Sequence, residues 1–304
     1  MARQIKCSVV NIARALRLPF TFASALPFIF GSFAAKGHFD VITFLLGLIA
    51  ATTAHLSANV INDYADSRTT ADWQDRKFYG FFGGSKLIQE GVFSGKFYLG
   101  LGITLALVSA FSVIILAIIL KNILILPLFL TVLILAWSYS AKPLQLSYRR
   151  FGEIIIFMLF GPACVMGAYY IQTNIFPDLK SFILSLPFGF FTTAILYSNE
   201  IPDSKDDINA NKFTWVSGVG EKRAYMLYYA LQALAFSSIL LNVFLGYMNF
   251  FALLSLALIP VVIKAANILK RHAGNKERLV ESSRLTIAVQ ALTGLILITS
   301  FILF

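Results

Sequence analysis

Long apolar runs separated by short polar stretches set the pattern of this chain. Nine runs approach the roughly 20 residues that a helix needs to cross a bilayer, allowing for tilt. They lie near 18–35, 41–60, 99–120, 123–139, 154–171, 182–197, 224–245, 250–268 and 285–304. The expected fold is therefore all-α: a polytopic membrane protein whose residues 1–304 form a single domain of nine transmembrane helices. The leading MARQIKCSVVNIARALR interleaves basic with apolar residues and predicts no cleavable signal peptide.

Composition agrees with the pattern, since 58% apolar and 13% charged residues leave too little polar surface for a soluble domain. Charge then gives the orientation. With the N-terminus in the cytoplasm and alternating spans, 22 of the 25 Lys and Arg fall inside, and only Lys36, Lys121 and Lys180 fall outside. That split predicts an integral protein of the cytoplasmic membrane. The net charge of +10 is mainly a topology signal, with attraction to anionic membrane lipids as a secondary benefit. No soluble face gathers the charge that a nucleic acid would need. Cys7 and Cys164 suggest no disulfide framework. His38, His55 and His272 lack metal-ligand spacing, and His55, inside the second span, reads as a packing histidine.

Against this scarcity of charge, ten of the fifteen acids crowd into two segments, 62–98 and 198–223. The first holds Asp63, Asp66, Asp72, Asp75 and Glu90; the second holds Glu200, Asp203, Asp206, Asp207 and Glu221. Both open alike, with Asn62-Asp63-Tyr64-Ala65-Asp66 echoed by Asn199-Glu200-Ile201-Pro202-Asp203. On a helix, positions four apart share a face, so Asn62 stacks on Asp66, and Asn199 on Asp203. Asp207 adds another turn, although Pro202 can distort it. Like charges on one face repel unless a cation lies between them. Oxygen donors without His or Cys suit Mg²⁺ or Ca²⁺, and Mg²⁺ typically takes one or two carboxylates and completes its shell with water and substrate phosphate. The expectation is two clusters holding Mg²⁺ around one diphosphate; solvated helix ends are the plainer alternative. Gly83-Gly84-Ser85-Lys86, Arg68, Lys142, Arg149 and Lys212 offer donors to such a group, though the positive-inside rule accounts for each cation equally well. The 29 Phe suit a sheltered hydrocarbon tail, and equally a lipid-facing surface.

These residues resemble a known family. NDYADSRTTAD resembles the first Asp-rich motif of the UbiA superfamily of intramembrane prenyltransferases, and NEIPDSKDDINANKFT resembles the second. The spacing of Asp66 and Asp72, with FGGSKLIQEG and YRRFGEIIIFMLFGPACVMGAYYIQT, is most similar to the 1,4-dihydroxy-2-naphthoate prenyltransferase branch of menaquinone biosynthesis. Lys86 stands where that branch has Arg, and Asn211 where the second motif has Gly. The resemblance implies nine helices around a central cavity. It implies that Asp66, Asp72, Asp203 and Asp207, with Asn62, hold Mg²⁺ and the diphosphate of a polyprenyl donor. Lys86, Lys142, Lys212, Arg149 and Asn199 would bind that substrate. Tyr139 and Tyr148 would shield a carbocation, or anchor the membrane interface. The implied acceptor is a small aromatic, first dihydroxynaphthoate, then a hydroxybenzoate or homogentisate ring or a glycerol-phosphate lipid. The rival from another class, a secondary transporter, calls for acids at mid-membrane, and here they gather at one interface.

Overall fold

The computed structural model describes residues 9–69 and 73–303; Arg3, Lys6, Cys7 and Asp72 lie outside that range. The regular elements among the described residues are all helical, with one isolated bridge between Arg149 and Phe213 and no strand. The helices are α1 (Val9–Ala15), α2 (Phe22–Ala34), α3 (Val41–Ser67), α4 (Gly95–Leu120), α5 (Ile125–Ser140), α6 (Gly152–Met158), α7 (Cys164–Thr173), α8 (Leu179–Asn209), α9 (Trp215–Val219), α10 (Glu221–Phe244), α11 (Ile259–His272) and α12 (Lys276–Ile302). A π turn, Leu159–Ala163, joins α6 to α7, and a 3₁₀ segment, Phe250–Leu258, leads into α11. Seven of the resulting rods are long and apolar enough to cross a membrane, or eight if the bent pair 9–15 and 18–34 is one span. The protein is thus a multi-pass integral membrane protein. The fourth predicted span is α5, an apolar helix of 16 residues.

Local chemistry explains the helix starts. Asp40 and Asp178 are N-caps: their carboxylates accept the backbone N–H of Thr43 at 2.8 Å and of Ser181 at 2.6 Å. Ser94 and Asn275 cap α4 and α12 in the same way. The helix ends differ from expectation. The apolar runs end near residues 60 and 197, but α3 continues to Ser67 and α8 runs through Pro202 to Asn209. Asp63, Asp66, Asp203, Asp206 and Asp207 therefore sit on the last turns of two rigid helices. Partners for their side chains, described below, replace the apolar burial that ends with each run.

Packing pairs α3 with α4, α2 with α7, α8 with α10, and α11 with α12. The main apolar core joins α2, α8, α10 and α12 through Phe30, Phe188, Phe191, Tyr228, Ile239 and Leu297. Hydroxyls tie α3 to α4: Ser57 donates to the Gly102 carbonyl at 2.7 Å and Ser109 to that of Ala50 at 2.6 Å. Gly31 lets α2 touch α7, since a Cβ there would stand 2.3 Å from the Val165 carbonyl oxygen. Gly31→Val is accordingly expected to cost about 1–3 kcal/mol through overpacking, read as a lower thermal midpoint in detergent. An unchanged midpoint would show that the α2–α7 contact yields easily.

Candidate active site

Between α2, α3, α5, α7 and α8 lies a cavity of about 610 Å³ with two unlike ends. One end is charged, lined by Asp66, Lys86, Asp203, Asp207, Lys212 and Lys276 among others. The other is apolar, reaching Phe28, Leu116, Leu128, Phe129 and Ile171. Along α3 the space is kept by Ala50, Ala54 and Ala58, which repeat every fourth residue and so line one stripe with methyl groups.

At the charged end, α3 contributes Asp66. Its Oδ1 accepts the Tyr148 hydroxyl at 2.8 Å and its Oδ2 accepts Asn62 Nδ2 at 3.1 Å, while Asn62 also donates to Ser140 Oγ at 2.9 Å. Burial, and then the Asp66 charge, push the Tyr148 phenol well above its ordinary range, so it stays a donor to that carboxylate. Asp63 has another task. It pairs with the Arg17 guanidinium, and its Oδ2 accepts the Ser85 N–H at 3.1 Å; Ser85 Oγ in turn lies 2.7 Å from the Tyr98 hydroxyl. This buried carboxylate seats the 83–86 loop. Gly83 and Gly84 there have φ of +73° and +74°, backbone that glycine adopts without steric cost. The loop turns the buried Lys86 into the cavity wall.

From α8, Asp203 Oδ2 accepts the Gly83 N–H at 2.8 Å, so the two acidic segments are joined directly. Lys276, at the start of α12, lies among three carboxylates: its Nζ is 2.6 Å from Asp206 Oδ2, 3.0 Å from Asp75 Oδ2 and 3.7 Å from Asp203 Oδ1. For Asp75, burial acts upward, but the Lys77 N–H and the Lys276 ammonium prevail and hold its carboxyl below the usual range. Lys212 Nζ lies 3.3 Å from Asp207 Oδ1 and 5.7 Å from the centre of the Tyr148 ring. Burial works against the Lys212 charge, yet the Asp207 and Asp66 carboxylates outweigh it and hold the ammonium well above its ordinary range. Asn199 Oδ1 is buried with no hydrogen-bond partner among the described residues.

The fold thus gathers Asn62, Asp66, Lys86, Tyr139, Asn199, Asp203, Asp207 and Lys212 around one cavity. Tyr148 stands behind Asp66 rather than on the lining. Lys142 and Arg149 are exposed and away from it, with Arg149 Nη2 donating to the Pro143 carbonyl at 3.3 Å. Arg68 is likewise exposed, on the Tyr64 hydroxyl at 2.7 Å. Sequence reasoning missed Lys276, which it counted only toward orientation; no spacing links it to acids at 75, 203 and 206. It also left Glu153 unassigned, whose Oε1 accepts the Trp215 N–H at 2.5 Å and pins α9 beside the second motif.

Among the described residues, no three His, Cys, Asp or Glu gather closely enough to cage a metal alone. The donors do fit an ion that takes one or two carboxylates and draws its other ligands from water and phosphate. They are carboxylate oxygens of Asp66 on α3 and of Asp203 and Asp207 on α8, all on the cavity lining. The ammonium of Lys276 already marks a place where these acids accept a cation.

Comparison with known proteins adds an independent line. Residues 24–287 match the model of the UbiA prenyltransferase family. The UbiA prenyltransferase domain-containing protein 1 of Dictyostelium discoideum is 30% identical over 234 residues, covering 75% of this chain and 68% of its own. The 1,4-dihydroxy-2-naphthoate octaprenyltransferase of Escherichia coli K12 is 29% identical over 215 residues, 68% of this chain and 67% of its own. A UbiA homologue from Archaeoglobus fulgidus, solved bound to DMAPP and Mg²⁺, shares the fold with a TM-score of 0.66 at 14% identity, over 95% of this chain and 99% of that one.

Proposed function

This chain belongs to the UbiA prenyltransferase family, and on that premise we propose that it moves a polyprenyl group from an allylic diphosphate to 1,4-dihydroxy-2-naphthoate, a step of menaquinone biosynthesis. The observation that carries the reading is the two-ended cavity: a charged end for a diphosphate, continuous with an apolar end for its hydrocarbon tail. The similarity to the Escherichia coli naphthoate enzyme supports the acceptor. On this reading the chain works as one domain of nine spans, α5 being the short fourth, with the N-terminus and the acidic end in the cytoplasm.

Asp66, Asp203 and Asp207, with Asn62 and Asp72, would hold Mg²⁺, which supplies Lewis-acid stabilisation of charge on the diphosphate. The chain's own residues do the rest. Lys86, Lys212 and Lys276 neutralise the departing group, the last two preorganised by the carboxylates that hold them. The donor C1–O bond breaks, and its electron pair leaves with the diphosphate. The apolar walls keep water from the allylic cation, and the Tyr139 ring face can stabilise it. C1 then bonds to the ring carbon that bears the carboxylate. That carboxylate departs as CO₂, returning its bonding pair to the ring. Tyr148, bonded to Asp66, acts as a positioning residue.

The test is turnover in detergent with Mg²⁺ and a labelled polyprenyl diphosphate, offering dihydroxynaphthoate and 4-hydroxybenzoate in parallel. Prenylated, decarboxylated naphthoate is the expected product. Product from hydroxybenzoate alone would replace the acceptor, and no turnover of any donor would overturn the reading.

A second expectation concerns the tail. Ala54→Phe puts a ring into the cavity where α3 has a methyl group. The variant is expected to favour short donors over long ones by about tenfold or more, the scale on which apolar pockets discriminate by size. Equal loss for all donor lengths would place the tail elsewhere.

A further inference from the structure

Deeper along the same cavity, beyond the charged end, α3 carries a polar group that the apolar surroundings do not explain. His55 lines the wall, its ring edge-on to Phe160 with centroids 4.7 Å apart. Its Nδ1 lies 2.9 Å from Ser24 Oγ and its Nε2 lies 3.3 Å from Asn59 Nδ2. One tautomer satisfies all of these bonds together. Ser24 spends its hydroxyl hydrogen on the Thr21 carbonyl at 3.1 Å, so its oxygen accepts from Nδ1–H. In that tautomer Nε2 is bare and faces the Asn59 amide hydrogens. The imidazole is neutral, and it takes one amide hydrogen from Asn59.

This relay spends two polar side chains, Ser24 and His55, to fix one amide in a membrane-spanning helix, where polar groups are costly and mark function. With Nδ2 committed to the imidazole, Asn59 keeps Oδ1 as an acceptor on a side chain that lines the cavity. Asn59 shares a face with Asn62 and Asp66, and lies about 10 Å below Asp66 along the axis at 1.5 Å per residue. On α8, Asn199 Oδ1 lines the same space, buried and lacking a donor among the described residues. A prenyl chain has no hydrogen-bond donor to offer these two oxygens. A ring bearing two hydroxyls has two.

We propose that Asn59 and Asn199 form a shelf that accepts hydrogen bonds from two hydroxyls of a dihydroxylated aromatic acceptor, with His55 as the positioning residue that fixes the Asn59 amide. The idea rests on the aromatic prenyl transfer proposed above and adds its specificity device. A ring with a single hydroxyl leaves one oxygen unsatisfied in a low-dielectric site, which disfavours it. His55→Gln keeps an acceptor for the Asn59 amide, whereas His55→Leu removes it.

The experiment measures kcat/KM and KM for donor and acceptor in wild type, Asn59→Leu, His55→Leu and His55→Gln. Dihydroxynaphthoate and its mono-hydroxy analogue are compared, and binding of each is also titrated directly. For the dihydroxy acceptor, Asn59→Leu and His55→Leu are expected to raise acceptor KM and Kd at least tenfold with donor KM unchanged. Preference over the mono-hydroxy analogue collapses in both, and His55→Gln recovers most of it. Equal losses for both acceptors, or a parallel rise in donor KM, would overturn the shelf and leave His55 a packing residue. If the wild type bound the naphthoate yet transferred no prenyl group, the transfer reading would fail while the binding titrations still decided the shelf.

Discussion

Asp66→Asn is expected to lower turnover about a hundred- to a thousandfold, the scale lost when one preorganised charge-stabilising group is removed from an active site. The substitution is nearly isosteric and can still accept the Tyr148 hydroxyl that reaches Oδ1 at 2.8 Å. Loss of fold is therefore separable from loss of function, with thermal unfolding as the control. Asp203→Asn should behave similarly from the opposite helix, although its Oδ2 also receives the Gly83 N–H. A modest effect of Asp203→Asn beside a severe one of Asp66→Asn would mean that α8 mainly holds the 83–86 loop. Near-wild-type turnover in both variants would remove the two motifs from the chemistry.

Removal of divalent cations is the second large effect. EDTA is expected to abolish product formation, with Mg²⁺ restoring it, because a diphosphate entering this site meets at least five nearby carboxylates: Asp66, Asp75, Asp203, Asp206 and Asp207. The ammoniums of Lys86, Lys212 and Lys276 line the same end, but those of Lys212 and Lys276 are already engaged by acids. Without metal, repulsion between the substrate and the remaining acids opposes binding. The split between steps is informative. Calorimetric titration with a non-hydrolysable donor should show binding weakened by EDTA in the wild type. Unchanged donor affinity without metal would assign diphosphate recognition to the lysines alone.

The acid-bearing helix ends also show why these residues can act together. A carboxylate on a loop spends entropy in being positioned, whereas Asp66 and Asp203 ride on helices whose lower turns are packed in the core. Asp63 buries its charge against Arg17 and hands the Ser85 N–H a fixed acceptor, and so connects α3 to the 83–86 loop. One motif thus divides its labour, with Asp66 facing the cavity and Asp63, three residues earlier, facing away.

Hydropathy by itself determined the all-helical membrane class, because only a helix satisfies its backbone within lipid using one continuous apolar segment. The four-residue spacing of Asn62 and Asp66, and of Asn199 and Asp203, likewise marked the cavity-facing residues in advance, since helical periodicity is local. Three things needed the tertiary structure. That α3 and α8 extend past their apolar runs depends on partners distant in sequence, such as Tyr148 for Asp66 and Gly83 for Asp203. The exclusion of Lys142 and Arg149 from the cavity depends on which way a connecting segment turns, and the positive-inside rule places Lys and Arg there regardless. The entry of Lys276 among Asp75, Asp203 and Asp206 joins residues up to 201 positions apart. Periodicity reports a face of one helix; only packing decides which faces meet.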